Sequence, residues 1–255
     1  MNLKEKIKDG KSICGTFVNI PSVAVTEMMG YFDYDFLWID LEHSAITLDM
    51  CYAQLVAAKS VGREAIVRVP QNDLTYTKKV LEMGPDGIIF PMVHSVKEAE
   101  ELLSYTIYPP YGNRGCGPQR AVRYGVDDEI AYFKSGAKDL CRFMQVECKT
   151  FVDEMEEIAS NPYIDGFILG LADLSGSINE IGDFFGENNL SLAKKAIEIA
   201  TNELKTDRKA GAIIAIGDTG CGETPRSRQL ANLANLSLLA TLRLALTISE
   251  NLGIL

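Results

Sequence analysis

The chain has 255 residues, of which 47% are hydrophobic and 24% are charged, so it can bury a sizeable core and its composition argues against disorder. Its formal net charge is −10 at pH 7, and no basic stripe interleaved with aromatic residues occurs, which argues against nucleic acid as a partner. The longest apolar stretch, 236–248, is interrupted by Thr241 and Arg243 and is too short to span a bilayer. We therefore expect no membrane partner.

The cysteines and the N-terminal segment bear on the cellular compartment. Six cysteines are scattered through the chain without a CxxC pair or zinc-like spacing, at positions 14, 51, 116, 141, 148 and 221. Scattered free thiols are typical of proteins in a reducing cytosol. Segment 1–8 has the pattern of a polar amphipathic helix and lacks the apolar stretch of a secretion signal. These features predict a cytoplasmic protein.

Short apolar runs alternate with helical patterns along the chain. The predicted strands are Thr16–Asn19, Phe36–Asp40, Ala65–Val69, Gly87–Pro91, Arg142–Glu147, Gly166–Leu169, Ala212–Ile216 and, more weakly, Leu236–Ala240. The predicted helices include 22–30, 48–60, 73–83, 96–104, 150–160 and 191–204. Most of the strands are continuously apolar, as expected when both faces of a parallel sheet are covered.

About eight strand–helix units predict an α/β fold, a single (β/α)8 TIM barrel preceded by a short N-terminal helix. An open doubly wound sheet is the alternative, but no glycine-rich dinucleotide turn follows the first strand. No repeat or linker divides the chain, so we expect residues 1–255 to form one domain. The spacing breaks once, at the Pro/Gly-rich loop 108–118, and long ordered loops are usually functional or packed against a partner.

Polar side chains collect where the predicted strands end. The active site of a TIM barrel lies at the C-terminal ends of its strands. In chain order these ends carry Asp40, Glu42 and His43, then Arg68, then His94, then Gln145 and Glu147, and finally Gly170-Leu171-Ala172-Asp173. This convergence predicts an enzyme.

Glu147 and Asp173 follow neighbouring strands in the prediction. Two carboxylates without a pairing lysine nearby in sequence suit a hard divalent cation such as Mg²⁺ or Mn²⁺, with positions left for water and substrate oxygens. The alternative is that Asp173 caps the helix that follows it. The backbone N–H groups of Gly170-Leu171-Ala172 can also cradle a carboxylate, although a glycine in such a turn is common.

His43 is the candidate for proton transfer, because an imidazole titrates near neutrality and follows a buried strand here. A structural histidine is the alternative. His94 precedes Ser95 and an amphipathic helix, which favours a surface or capping role. Arg68 interrupts an apolar strand, and a buried arginine requires an anionic partner, which could be substrate or a structural carboxylate.

Seven ordered segments between about Gly15 and Ser175 resemble the HpcH/HpaI aldolase family, the metal-dependent class II pyruvate aldolases. The segments are Phe36–His43, Val67–Val69, Leu81–Gly84, Pro91–Val93, Tyr108–Gly115, Gln145–Glu147 and Gly170–Ser175. The resemblance implies a carbon–carbon lyase that reversibly cleaves a 4-hydroxy-2-oxo acid to pyruvate, or a related 2-oxo acid, and an aldehyde. It also implies a homo-oligomer, a trimer or hexamer, with C-terminal helices and loop 108–118 as contacts.

The resemblance assigns roles to individual residues. It implies that Glu147 and Asp173 hold a divalent metal, Mg²⁺ or Mn²⁺ with Co²⁺ as a further option. Gln145 would help to order the metal's ligands, and Gly170, Leu171 and Ala172 would bind the substrate carboxylate through their backbone. Arg68 would stabilise the enolate, and His43 would transfer protons with Glu82 as its acidic partner.

Three features depart from the family pattern: Glu82 replaces the usual Asp, Phe17 replaces a frequent Trp, and Ala240–Arg243 replaces the Gly-x-Asp turn expected after the eighth strand. Other functions remain open, namely a related carbon–carbon lyase, a 2-oxo acid decarboxylase, or a barrel that binds a keto acid without turnover. Cleavage of a CoA ester is disfavoured because no basic patch for the CoA phosphates is present.

Overall fold

The computed structural model describes residues 1–11, 13–135, 138–205 and 212–214. Within these ranges seven parallel strands form one sheet in the order β1 to β7. They are β1 Gly15–Val18, β2 Phe36–Asp40, β3 Glu64–Arg68, β4 Gly87–Phe90, β5 Cys141–Val146, β6 Gly166–Leu169 and β7 Ala212–Ile214. The first seven predicted strands are thus found, with small shifts at their ends.

Helices connect successive strands. They are α1 Leu3–Lys8, α2 Val23–Gly30, α3 Leu48–Ser60, α4 Leu74–Glu82, α5 Val96–Ser104, α6 Glu129–Ser135, α7 Lys149–Ala159, α8 Leu171–Ser177 and α9 Glu187–Lys205, with a 3₁₀ helix at Arg120–Gly125. None of the helices in these described ranges is long and apolar enough to cross a bilayer. The alternation of helix and parallel strand establishes the α/β class. The predicted eighth strand, Leu236–Ala240, lies outside the described residues, as do the Ala240–Arg243 turn and any C-terminal contact helices.

Both faces of the sheet are covered by apolar side chains, which explains why the strands are continuously apolar in sequence. One hydrophobic cluster packs the outer face of the sheet, including Leu37 and Ile39, against the helices. A second cluster lies on the inner face, where Trp38 and Phe143 pack with Leu3 and Ile7 of α1. Helix α1 therefore covers the N-terminal end of the inner cluster.

Acidic residues stand at the N-terminal ends of four strands. Each accepts a hydrogen bond from the backbone N–H of an adjacent segment and so anchors the start of its strand. The bonds are Cys14 N–H to Asp35 (2.7 Å), Leu3 N–H to Glu64 (2.6 Å), Ala65 N–H to Asp86 (2.8 Å) and Arg142 N–H to Asp165 (3.0 Å). Helix α1 adds two ion pairs, Lys4–Asp165 at 3.0 Å and Lys6–Asp35 at 2.6 Å.

One expectation needs correction. Cys14 is disulfide-bonded, whereas Cys51, Cys116, Cys141 and Cys148 are free, so the prediction of free thiols holds only for these four of the described cysteines.

Segment 108–118 is a loop, as predicted, and the 3₁₀ helix and α6 follow it before β5. Arg114 anchors this loop inside the chain, with its guanidinium 4.6 Å from the Tyr108 ring centroid.

Candidate active site

The strand register brings Asp40 and Arg68 together. The two residues end β2 and β3 and lie directly opposite each other in the parallel pairing. Arg68 donates from Nε to Asp40 Oδ1 (2.8 Å) and from Nη2 to Asp40 Oδ2 (2.7 Å), which is the bidentate geometry of a strong arginine–carboxylate pair. Both residues are buried. Burial would raise the pKa of Asp40, but the hydrogen bonds and positive charge of Arg68 outweigh it, so that pKa is lowered.

Asp40 also holds the turn that carries His43. Its Oδ1 accepts the backbone N–H groups of Glu42 (3.0 Å) and His43 (3.4 Å), and its backbone oxygen accepts the Ser44 hydroxyl. The structure thus gives Asp40 a central role that the sequence analysis did not assign, although the alignment of two strand-end residues could have signalled it.

Arg68 extends the network toward β5. Its Nη1 donates to Gln145 Oε1 (3.1 Å), and Gln145 Nε2 in turn donates to Glu147 Oε1 (2.6 Å). The guanidinium also lies 5.3 Å from the Trp38 ring centroid, a cation–π contact from the inner apolar cluster below it. Three strands therefore contribute to one buried polar chain from Asp40 to Glu147.

Glu147 is buried and fixed at both oxygens. Besides the Gln145 contact at Oε1, its Oε2 accepts the backbone N–H of Met92 at 2.8 Å. Gly170 lies against the carboxylate, because a Cβ built on it would stand 2.6 Å from Oε1, closer than real contacts allow. This close approach is a reason for glycine at position 170.

Carboxylates crowd around Glu147. Burial raises the pKa of Glu147 to about 7, and the negative charges of Glu42 and Asp173 contribute in the same direction, while the Met92 N–H and Arg68 oppose it. Burial also raises the pKa of Glu42, with Asp40 and Asp173 adding to the effect against Arg68. The cluster therefore favours an added positive charge.

Glu42 joins the guanidinium to the imidazole. Its Oε2 lies 3.0 Å from Arg68 Nη1 and 3.7 Å from His43 Nε2. The first contact has ion-pair distance without hydrogen-bond alignment, so this buried oxygen lacks a directed donor. The His43 side chain is 66% exposed, which places the imidazole at the solvent-facing side of the network. In the sequence, Glu42 is recognisable only as a strand-end residue next to His43.

Asp173 lies in the first turn of α8, on the exposed side of the site. Gly170 is the N-cap residue of that helix, so the alternative that Asp173 caps it is wrong. The described residues contain no group of three or more His, Cys, Asp or Glu side chains arranged to hold a metal ion. A site here would rest on two carboxylates, and Mg²⁺ is often held by one or two carboxylates together with water and substrate oxygens.

Glu82 is not brought to His43 within one chain. It ends α4, which runs back from the end of β3 toward the start of β4, so Glu82 lies at the opposite edge of the sheet. Its Oε1 is buried without a hydrogen-bond partner, and a Cβ built at Gly117 would stand 3.3 Å from it. The predicted pairing of Glu82 with His43 thus has no support from contacts inside the described chain.

His94 is exposed and precedes α5. Its backbone N–H donates to Glu98 (2.9 Å), while the Ser95 hydroxyl accepts the Glu98 N–H (3.3 Å) as the N-cap. These contacts agree with a surface position at a helix start.

Comparisons with known proteins identify the family of this chain. The family model described as HpcH/HpaI aldolase/citrate lyase matches residues 14–216. The 2-keto-3-deoxy-L-rhamnonate aldolase of Escherichia coli strain K12 is 32% identical over 216 residues, which cover 84% of this chain and 78% of that protein.

Two solved structures share the fold. An HpcH/HpaI aldolase/citrate lyase family protein from Burkholderia cenocepacia J2315 has a TM-score of 0.78 at 24% identity, covering 99% of this chain and 98% of its own. The HpcH/HpaI aldolase from Desulfitobacterium hafniense DCB-2 has a TM-score of 0.75 at 23% identity, covering 92% and 98%. The chain therefore belongs to the HpcH/HpaI aldolase/citrate lyase family and is a class II aldolase-type lyase.

Proposed function

We propose that this chain reversibly cleaves a 4-hydroxy-2-oxo acid to pyruvate, or a related 2-oxo acid, and an aldehyde. The observation that carries the proposal is the imbalance of charge around Glu147. Glu42, Glu147 and Asp173 influence one another electrostatically, and Arg68 opposes them while already bound to Asp40. A buried carboxylate whose pKa is raised in this way is a natural ligand for a divalent cation.

Glu147 and Asp173 would hold that cation, Mg²⁺ or Mn²⁺ with Co²⁺ as a further option. The donor set fits, because hard cations prefer carboxylate oxygens and Gly170 leaves the space in which Glu147 lies. When bound, the cation supplies positive charge that polarises the 2-oxo acid and stabilises an enolate.

The chain's own residues would bind the substrate, orient the metal ligand and stabilise the developing charge. The backbone N–H groups of Leu171 and Ala172, in the first turn of α8, would bind the substrate carboxylate. The Gly170 N–H already donates to the Val146 carbonyl at 3.1 Å, so the part of Gly170 would be to leave space beside them. Gln145 would keep Glu147 oriented through its 2.6 Å hydrogen bond. The Arg68 guanidinium, fixed by Asp40, would stabilise the negative charge that develops when a methyl proton leaves pyruvate.

His43 would hold the transferred proton. Its position suits this task, since the exposed imidazole lies 3.7 Å from Glu42 and faces solvent with which it can exchange a proton. The assignment of Glu82 as an acidic partner comes from the family resemblance, and it stays a proposal that requires Glu82 to approach His43 from outside this chain.

The substrate class, the domain organisation, the oligomeric state and the cellular location are also proposals. The name of the Escherichia coli relative supports a 2-keto-3-deoxy acid derived from a sugar. A related carbon–carbon lyase or a 2-oxo acid decarboxylase is the second candidate, because the same enolate stabilisation serves both. We further propose one barrel domain over residues 1–255, a homo-oligomeric trimer or hexamer, and a cytoplasmic location.

The deciding experiment incubates the purified protein with pyruvate, Mn²⁺ or Mg²⁺ and a panel of aldehydes, with and without EDTA. We expect an aldol product that disappears in EDTA and returns with excess Mn²⁺. A product unaffected by EDTA would refute the requirement for a metal. An absence of both product and pyruvate methyl exchange in D₂O, with every metal, would favour a barrel without turnover.

Matched variants distinguish the proposed metal ligands from the proposed proton-transfer residue. Glu147→Gln and Asp173→Asn should weaken Mn²⁺ binding in calorimetry by roughly 100-fold or more, while Glu156→Gln, an exposed acid on α7, should leave it unchanged. His43→Gln should slow methyl exchange by about 100-fold or more with Mn²⁺ affinity retained. His94→Gln should change neither, and loss of exchange in that variant alone would mean that the wrong histidine was chosen.

A further inference from the structure

Met92 has an unusual backbone conformation next to the site. It follows β4 within Pro91-Met92-Val93, and its φ is +46°, in the left-handed region that side chains other than glycine rarely adopt. Its side chain is 38% exposed, so burial of the methionine does not account for the conformation. A residue held in this region usually has a local reason for it.

The backbone N–H of Met92 provides that reason. It donates to Glu147 Oε2 at 2.8 Å, and it is the one backbone donor to this carboxylate among the described residues. Glu147 is only 2% exposed, so an Oε2 without a donor would be costly. The other oxygen is fixed by Gln145, and Gly170 closes the space beside it. The strand ends of β4, β5 and β6 thus fix Glu147 from three sides.

We propose that Met92 is a positioning residue for Glu147, and that it acts through its left-handed backbone rather than through its side chain. The inference rests on the proposed function, since Glu147 is the proposed metal ligand. A right-handed φ at residue 92 would turn the N–H away from Oε2 and free the carboxylate to rotate. Hydrogen-bonded partners of a metal ligand commonly change metal affinity by about 10–100-fold.

The test compares substitutions by their tolerance of positive φ. Glycine adopts it freely and asparagine tolerates it, whereas β-branched valine strongly disfavours it. In calorimetric titration of the metal-free full chain with Mn²⁺, Met92→Gly and Met92→Asn should bind within about threefold of wild type, while Met92→Val should bind about 10-fold or more weakly. Met28→Val is the matched control, because Met28 is 43% exposed in a regular helix, α2.

A second readout is independent of metal. In EDTA, Met92→Val should lower the urea midpoint of unfolding more than Met92→Gly does, since only valine opposes the left-handed conformation. Equal losses of Mn²⁺ affinity in the Gly and Val variants, wild-type affinity in Met92→Val, or equal falls of their midpoints would each overturn the inference while the proposed function stands. A wild-type protein that binds no Mn²⁺ would overturn the proposed function and the inference with it.

Discussion

At the N-terminal edge of the sheet, Asp35, Asp86 and Asp165 each face a lysine. The distances are 2.6 Å for Lys6–Asp35, 2.6 Å for Lys59–Asp86 and 3.0 Å for Lys4–Asp165. Every acid also accepts a backbone N–H at the start of a strand. A lysine neutralises the charge of each of these three acids, and the acids hold the strands in place.

At the C-terminal edge the carboxylates share one guanidinium. Arg68 is bound to Asp40 through two hydrogen bonds and contacts Glu42 at 3.0 Å, while Glu147 lies beyond Gln145. Burial raises the pKa values of Glu42 and Glu147, and the neighbouring carboxylates raise them further because one guanidinium does not offset them all. Asp35, Asp86 and Asp165 are structural, since each has its own lysine and anchors a backbone N–H, whereas Glu42 and Glu147, which share one guanidinium with Asp40, are candidate ligands.

Of the changes considered, removal of Arg68 should have the largest effect on stability and activity. Arg68→Met leaves the buried Asp40 carboxylate without its partner, so we expect a loss of about 3–5 kcal/mol in the free energy of unfolding, measured in urea at pH 7, together with loss of aldol activity. The double variant Asp40→Asn/Arg68→Met should recover part of that stability. Arg123→Met, which breaks an exposed pair with Asp127, is the control and should have little effect. Equal losses in the single and double variants would contradict a buried pair.

The pH dependence of the free energy of unfolding should reveal the raised pKa of Glu147. Because the folded-state pKa of Glu147 is raised to about 7 from 4.5, the folded protein binds a proton more tightly than the unfolded chain. The stability that results is fully present below pH 4.5 and is lost as the pH rises toward 7. In EDTA, wild type should therefore lose up to roughly 3 kcal/mol relative to Glu147→Gln across this window.

Saturating Mn²⁺ should remove that loss, because the cation would take the place of the proton. Urea unfolding at several pH values, with and without Mn²⁺, measures both effects. A difference between wild type and Glu147→Gln that does not vary with pH would show that Glu147 is not perturbed.

Removing Lys4 from the N-terminal edge of the sheet should have the smallest effect on the free energy of unfolding. Lys4 donates to Asp165 and to the Leu140 carbonyl (2.9 Å), so Lys4→Met should cost about 1–2 kcal/mol in unfolding free energy. It should leave Mn²⁺ affinity and aldol activity unchanged. Lys8→Met, an exposed position on the same helix, is the control. A loss of metal affinity in Lys4→Met would mean that the two edges are coupled rather than separate.

The sequence predicts the strands and the collection of polar residues well, because both follow from local patterns. Continuous apolar runs mark strands covered on both faces, and parallel strands bring their C-terminal ends to one edge. It predicts less well which side chains meet. The partner of Arg68 depends on the register of β2 against β3, and the Met92 N–H reaches Glu147 only through a left-handed backbone that no sequence pattern announces.

The position of Glu82 illustrates another limit. A motif records order along the chain, but the direction of a helix between two parallel strands decides the edge at which its last residue lies. Glu82 ends α4 and therefore lies away from His43 in the same chain. The sequence also did not predict α6, because residues Glu129–Ser135 are all at least partly exposed and so lack the buried apolar face that marks a helix.

Asp40 has a consequence for how such an enzyme can evolve. One carboxylate oxygen receives both the guanidinium of Arg68 and the amides of the turn that carries His43. A substitution at position 40 would disturb both Arg68, the proposed enolate-stabilising residue, and the turn that carries His43, the proposed proton-transfer residue, so we expect the two to change together. New substrate preferences are therefore expected to arise from changes in residues that touch neither, such as Phe17, whose ring stacks on Trp38 at 4.4 Å. Asp40, Arg68 and His43 would thus be retained together, while the residues around them could vary.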